Sequence, residues 1–245
     1  MAASNVYYIT GTSRGLGKAL AVTLLNDNDN RVFGIGRSCT LSHTRYQHYD
    51  LDLSVAEEVR KFKFRLPEDT RRAVLINNAG VIEPVAPVGR IDNQTLMAGF
   101  TVNLISPAML MNNFIHHTQN SRAQRLIINI SSGAGRHTMD SWSVYCASKA
   151  GLDMLSEVLH TEQPLHHLQR PVHIFSIAPG VVDTGMQAQI RSVPKRDFAG
   201  KERFMKMKAE GMLATADETA RSILKVLARP EQYEYVCLDV RDLDE

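Results

Sequence analysis

An apolar run that ends in closely spaced glycines and then opens a helix leaves few folds available, and this chain begins with one. Val6-Tyr-Tyr-Ile-Thr10 is β-rich and runs into Gly11-Thr-Ser-Arg-Gly15-Leu-Gly17-Lys18, after which residues 19–26 read as helix. Glycines at such a junction let the backbone approach a pyrophosphate, and the helix N-terminus offers unpaired N–H groups and a favourable dipole. The spacing is G-x-x-x-G-x-G rather than G-x-G-x-x-G, and the G-K-[ST] ending of a phosphate-binding P-loop is missing, which argues against ATP or GTP. Alone the turn is weak evidence, because purely structural turns share it.

The rest of the chain alternates strands with helices. Residues 31–36 read as a second strand, a third ends at Asp50-Leu-Asp52-Leu53, and Ser54-x-x-Glu57 has the form of a capping box opening the next helix. Residues 72–77 are a fourth strand, followed by Asn78-Ala79-Gly80. A helix is expected from near Asp92 through Asn103 to about His117, with Pro107 as its kink. The apolar run within 125–132 predicts a buried parallel strand, and the helix carrying Tyr145 should end near Pro164. Residues 172–177 are a sixth strand leading to Pro179-Gly180, and residues 185–211, without strand pattern, are expected to form a lid. Thr215-x-x-Glu218 caps the last helix, and residues 233–238 are a final strand. This order predicts one α/β domain over residues 1–245, a Rossmann-like doubly wound parallel sheet of about seven strands with helices on both faces.

Ligands of such a sheet bind beyond the carboxyl ends of its strands, where Ser132 stands. Tyr145 and Lys149, four apart on a helix, share a face, so the ammonium can sit beneath the phenol. A free tyrosine, with a pKa near ~10, is a poor proton donor or acceptor at neutral pH, and a nearby cation brings it toward the working range. An ordinary helix with a surface lysine has the same two residues; the nucleotide signals elsewhere favour acid–base chemistry. Asn103 has poor propensity for mid-helix, which points to a polar role. Roughly twenty residues past the glycines, an NAD site places a carboxylate on the ribose 2′-hydroxyl. Here Arg37 and Ser38 follow the second strand, and Arg14 sits inside the glycine loop. Two guanidinium groups suit a 2′-phosphate, so NADP(H) is the expected cofactor.

A net charge of +2 over 245 residues is too balanced to suggest nucleic acid, and no apolar stretch is long enough to span a bilayer. Cys39, Cys146 and Cys237 are odd in number and outside C-x-x-C spacing, and the start shows no basic and apolar leader, so a cytoplasmic protein is expected. His116-His117 and His166-His167 are adjacent pairs with no ligand at metal spacing, so no metal site is expected.

Thr10-Gly-x-x-x-Gly15-x-Gly17, Asn77-Asn-Ala-Gly80, Asn103, Ser132, Tyr145-x-x-x-Lys149 and Pro179-Gly180 fall in the order and spacing of the short-chain dehydrogenase/reductase family, which the chain resembles over nearly its whole length. Within that family, residues 142–150 and 179–187 look most like sepiapterin reductases and benzil (α-diketone) reductases, and 238–242 is similar to the sepiapterin reductase ending. The resemblance implies an NADPH-dependent carbonyl reductase that transfers hydride to a ketone of a small dicarbonyl substrate. Tyr145 would protonate the carbonyl oxygen, Lys149 would lower the tyrosine pKa and hold the nicotinamide ribose, Ser132 would orient the carbonyl, and Asn103 would hold a water linking Lys149 to solvent. Cofactor contacts would come from Gly11, Ser13, Arg14, Gly15, Leu16, Gly17, Arg37, Ser38, Asp52, Leu53, Asn78, Ala79, Gly80, Tyr145, Lys149, Pro179, Gly180, Val182 and Thr184. Substrate contacts would come from Ser132, Trp142, Tyr145, Met186 and, in the tail, Asp242, which matches the aspartate that anchors the pterin. The chain lacks the Asp-Gly-Gly ending of tetrameric relatives, and a homodimer through the Asn103 and Tyr145 helices is expected.

Two other readings stay open. One is a different reductase of the same fold, for a steroid, a sugar or a 3-oxoacyl carrier-protein thioester. The basic stretch Arg191, Lys195, Arg196, Lys201, Arg203, Lys206 and Lys208 keeps an acidic carrier in play, against a plain solvated lid. The other is an NADP(H)-sensing protein without turnover, which the intact Ser–Tyr–Lys set disfavours.

Overall fold

Every residue of β1 (Asn5–Thr10) is buried, and the two-residue period sends Tyr7 and Ile9 to one face of the sheet and Val6 and Tyr8 to the other. The computed structural model, which describes residues 4–166 and 170–243, sets this strand inside a seven-stranded sheet. The others are β2 (Asn30–Gly36), β3 (Tyr46–Asp50), β4 (Arg72–Asn77), β5 (Gln124–Ile130), β6 (His173–Ala178) and β7 (Cys237–Asp239). Their order is β3-β2-β1-β4-β5-β6-β7, and all neighbours pair in parallel. The chain runs outward from β1 to β3, then returns to β4 on the other side of β1. That reversal opens a crevice at the carboxyl ends of β1 and β4.

Parallel neighbours need crossovers, which the helices supply. On one face α1 (Gly15–Leu25) and α8 (Ala216–Ala228) bury Leu20, Leu24, Ile223 and Val226 against Tyr7, Ile9, Val32 and Val74. On the other, α2 (Ala56–Lys61), α4 (Ser106–Thr118) and α5 (Ser143–His166) bury Val59, Leu110, Phe114 and Leu152 against Val6, Tyr8, Leu75 and Ile127. Full burial of one such side chain is worth about 1.5–3 kcal/mol, several times a typical difference in helix propensity. These two apolar layers therefore decide where the helices lie.

The expected fold stands, with local corrections. The first helix begins at Gly15 rather than residue 19, so the glycine loop itself forms its first turn. The capping box expected at Ser54 does not form: Ser54 Oγ donates to Asp52 Oδ1 at 2.8 Å, Glu57 pairs with Arg60 and Lys61, and α2 starts after Val55 without a side-chain cap. At Thr215 the box is complete, with Glu218 N–H on Thr215 Oγ1 at 3.2 Å and Thr215 N–H on Glu218 Oε2 at 3.0 Å. The long helix expected from Asp92 to His117 is three pieces: α3 (Asn93–Phe100), one wide π turn (Thr101–Ile105) and α4. Ser106 N–H reaches back five residues to Thr101 O, and Pro107, with no N–H, leaves the ladder free to widen there. Helix α5 passes through Pro164 and ends at His166, while His167 lies outside the described residues. The last strand is shorter than expected; only Cys237–Asp239 pair with β6, on the sheet edge.

Candidate active site

The glycine loop is built for close approach. Gly11 (φ +75°) and Gly15 (φ +55°) take left-handed backbone. A Cβ on Gly17 would stand 2.2 Å from Gly11 O and 2.3 Å from Asn78 Nδ2, which leaves no room for a side chain. Arg14 is the N-cap of α1, with no side-chain cap and no acidic residue in the first turn, so the first N–H groups are left for an anion. Thr10 Oγ1 accepts the N–H groups of Asn78 and Ala79, each at 2.9 Å, which fastens the loop after β4 to the glycine loop. Across the crevice, Thr184 Cγ2 lies 3.3 Å from the Cβ position of Gly15, and Arg14 Nη1 lies 3.8 Å from that of Gly185. Thr184 and Gly185 thus face the glycine loop, while upstream Gly180 (φ +71°) lies against Val240 and Val182 bridges to Ala214. Leu16 points the other way, into the core.

Arg37 and Ser38 are exposed at the end of β2. Next to them, Ser54 hydrogen bonds hold the Asp52 carboxyl below its usual range, and the Arg37 guanidinium adds to the effect. Leu53 is fixed from behind by Ser106 Oγ, which donates to Leu53 O at 2.6 Å.

Beyond β5, Ser132 caps a short turn by accepting Ala134 N–H at 3.1 Å. Tyr145 and Lys149 are 7% and 4% exposed on the facing side of α5. Lys149 Nζ donates to Ile130 O at 2.7 Å and stands 5.8 Å from the Tyr145 ring centroid. Burial pulls the lysine down to about 8, with Asp153 working against it. The tyrosine is raised by its own burial, with the Ser132 hydroxyl pulling the other way. Desolvation is the larger influence on the phenol here, and the ammonium is engaged at Ile130. Asn103 completes the group, fully buried in the π turn. Its Oδ1 accepts Val81 N–H and its Nδ2 donates to Val81 O, both at 2.8 Å. The side chain expected to hold a water is first a clamp on the loop after β4. The Cβ position of Gly80 lies 3.3 Å from Asn103 Oδ1 and 3.7 Å from Lys149 Nζ, so Gly80 joins the site.

The lid expected at 185–211 is two helices, α6 (Gly185–Ser192) and α7 (Lys201–Ala209). Ile190 of α6, Phe204 of α7 and Phe198 between them cluster with Trp142, whose ring meets Tyr145 edge-on at 5.6 Å and stacks on Phe204 at 5.4 Å. Met186 packs against the same cluster. Asp242 is exposed in a 3-10 turn at the tail, and its neighbour Val240 lies 3.6 Å from the Cβ position of Gly180.

Sequence reasoning missed one hub. Asp153 Oδ1 accepts from Ser176 Oγ at 2.6 Å, and Oδ2 pairs with Arg136 Nε at 3.1 Å. Arg136 Nη2 also donates to Leu238 O at 3.2 Å, so one carboxylate ties α5, β6, β7 and the Ser132 turn together. The signal was present, since Asp153 lies four residues past Lys149 on the same helix face.

The family model described as short chain dehydrogenase matches residues 5–195. The chain belongs to the short chain dehydrogenase family. It is 35% identical over 236 residues to a benzil reductase ((S)-benzoin forming) of Bacillus cereus, covering 91% of this chain and 94% of that one. It is 28% identical over 246 residues to the sepiapterin reductase of Mus musculus, covering 91% and 92%. Among solved structures, the KRED1-Pglu enzyme superposes with a TM-score of 0.78 at 29% identity, over 92% of this chain and 95% of that one. The family's enzymes are oxidoreductases that act on CH–OH and C=O groups with a nicotinamide cofactor, and the close-packed glycine cradle fits one. Among the described residues, no helix is long and apolar enough to cross a membrane, and no group of three or more His, Cys, Asp or Glu could hold a metal.

Proposed function

We propose that the protein is an NADPH-dependent reductase of small dicarbonyl compounds, with aromatic α-diketones of the benzil type as its substrate class. The observation that carries this reading is the meeting of Ser132, Tyr145 and Lys149 under an aromatic roof of Trp142, Phe198 and Phe204. The cofactor, when bound, supplies hydride to the carbonyl carbon. Tyr145 gives its phenolic proton to the carbonyl oxygen as negative charge develops there, and Ser132 donates a hydrogen bond that orients it. Lys149 favours the resulting phenolate. Arg14 and Arg37 hold the 2′-phosphate, while Trp142 and Met186 flank the aryl groups and Asp242 reaches in from the tail. The carrier-protein alternative loses ground, because Lys195, Lys206 and Lys208 are paired with Glu202, Glu210 and Asp183. The test is NADPH oxidation with benzil, sepiapterin and acetoacetyl thioesters; turnover of the thioester alone would overturn the proposal.

The charge on Lys149 sets the pH dependence. Its pKa of about 8 means that the ammonium is lost as pH rises through that value. Carbonyl reduction at saturating cofactor should therefore fall above about pH 8, and a kcat profile flat to about pH 10 would show that the charge is not used.

We place the protein in the cytoplasm, which suits its free cysteines, and expect it to act as a homodimer. Helices α4 and α5 leave a groove with Ala108, Ile115, Leu155 and Leu159 at one side and Asn112 and Glu162 at its polar margin, and Met154 and Val158 of α5 are exposed. Val158→Glu should convert the dimer to monomer in sedimentation; a wild type that is monomeric at all concentrations would refute the pairing.

A further inference from the structure

A chain of polar contacts lies beneath the adenosine side of the cleft, apart from the groups assigned to the reaction. Thr12 Oγ1 and Tyr46 Oη are 2.8 Å apart, Tyr46 Oη and His48 Nδ1 3.3 Å, and His48 Nε2 and Gly36 O 2.8 Å. Its direction follows from the far end. A backbone carbonyl only accepts, so His48 Nε2 carries the proton. Nδ1 of the neutral ring is then an acceptor, Tyr46 donates to it, and Thr12 donates to Tyr46. The result is a strut from Thr12, inside the glycine loop, to Gly36, the residue before Arg37. A second tie runs beside it, where Thr40 Oγ1 donates to Ser13 O at 2.7 Å. The sheet makes room for the strut: a Cβ on Gly34 would lie 2.0 Å from Tyr46 Oη and 2.5 Å from Thr12 Oγ1. Thr12 is 2% exposed, so water cannot stand in for the tyrosine hydroxyl at that end.

We infer that Thr12, Tyr46 and His48 are positioning residues for cofactor selectivity, because their strut fixes Arg37 relative to the glycine loop. A dinucleotide with a phosphate on its adenosine ribose then meets the pyrophosphate loop and Arg37 in one rigid frame. A dinucleotide without that phosphate gains nothing from the placement of Arg37. The inference rests on the NADP(H) reading proposed for the same cleft.

The test measures KM and kcat for NADPH and NADH with one carbonyl substrate, in wild type, Tyr46→Phe, Thr12→Val, Arg37→Ala and the Tyr46→Phe/Arg37→Ala double variant. Tyr46→Phe and Thr12→Val should each raise the NADPH KM about five- to tenfold, with the NADH KM moved less than about twofold and kcat unchanged. In the Arg37→Ala background, Tyr46→Phe should add nothing further. Equal rises for both cofactors, no rise at all, or an undiminished effect without Arg37 would overturn the inference alone, provided that the wild type prefers NADPH. A wild type with no preference would overturn the NADP(H) reading and the inference with it.

Discussion

Tyr145→Phe should lower turnover by at least about a hundredfold while leaving cofactor binding nearly intact. Positioned proton transfer is worth roughly 10²–10⁴-fold, and the substitution removes only the group that transfers the proton. The ring itself stays, and with it the edge-on contact with Trp142 at 5.6 Å, so the aromatic cluster beneath the lid should keep its packing. Lys149 stays tied to Ile130 O, and Ser132 keeps Ala134 N–H while losing its hydrogen bond to the phenol. The measurement pairs kcat with a direct titration of cofactor binding. Turnover near that of the wild type would end the assignment of Tyr145 as the acid. Loss of binding in step with turnover would mean that the substitution damaged the cleft.

Arg37→Asp should nearly abolish use of NADPH and leave use of NADH unchanged or improved. Each hydrogen bond to a charged group is worth roughly 1.5–3 kcal/mol, so Arg14 and Arg37 together should favour NADPH by at least about a hundredfold. The substitution removes one donor and sets a like charge against the 2′-phosphate. Asp52 already stands close enough to feel the charge of Arg37, so the new carboxylate would join an existing one. The check is kcat/KM for both cofactors with one fixed carbonyl substrate. Equal use of the two by the wild type would refute the assignment.

The parts of this molecule that were legible in its sequence depend on one short stretch each. Residues 5–10 form a strand because they are apolar on both sides, and Gly11, Gly15 and Gly17 form a tight loop because their spacing allows little else. The four-residue step from Tyr145 to Lys149 places both on one helix face whatever surrounds them. What was not legible depends on competition between distant groups. Ser54 matches a capping pattern, yet Asp52 takes its hydroxyl and Arg60 takes Glu57. The aromatic roof needs Phe198 and Phe204 to meet Trp142 from a distant part of the chain, and no local pattern encodes that. The strut from Thr12 to Gly36 joins a loop to two strands, and Gly34 reads as an ordinary strand glycine until Tyr46 is seen above it.

The π turn at Thr101–Ile105 has a consequence for how such a chain tolerates change in length. A wide turn holds one residue more than an α-helical path, and one residue is about 100° of rotation. Deleting a residue there would close the wide turn and join α3 to α4 in one rod kinked at Pro107, with Leu110, Met111 and Phe114 still available to the sheet. Asn103 would swing away from Val81, however, and with it would go the clamp that sets the loop beside Lys149. The extra residue works as a phase shifter: it lets one half of the rod be aimed at the core and the other at the cleft, each adjusted without disturbing the other.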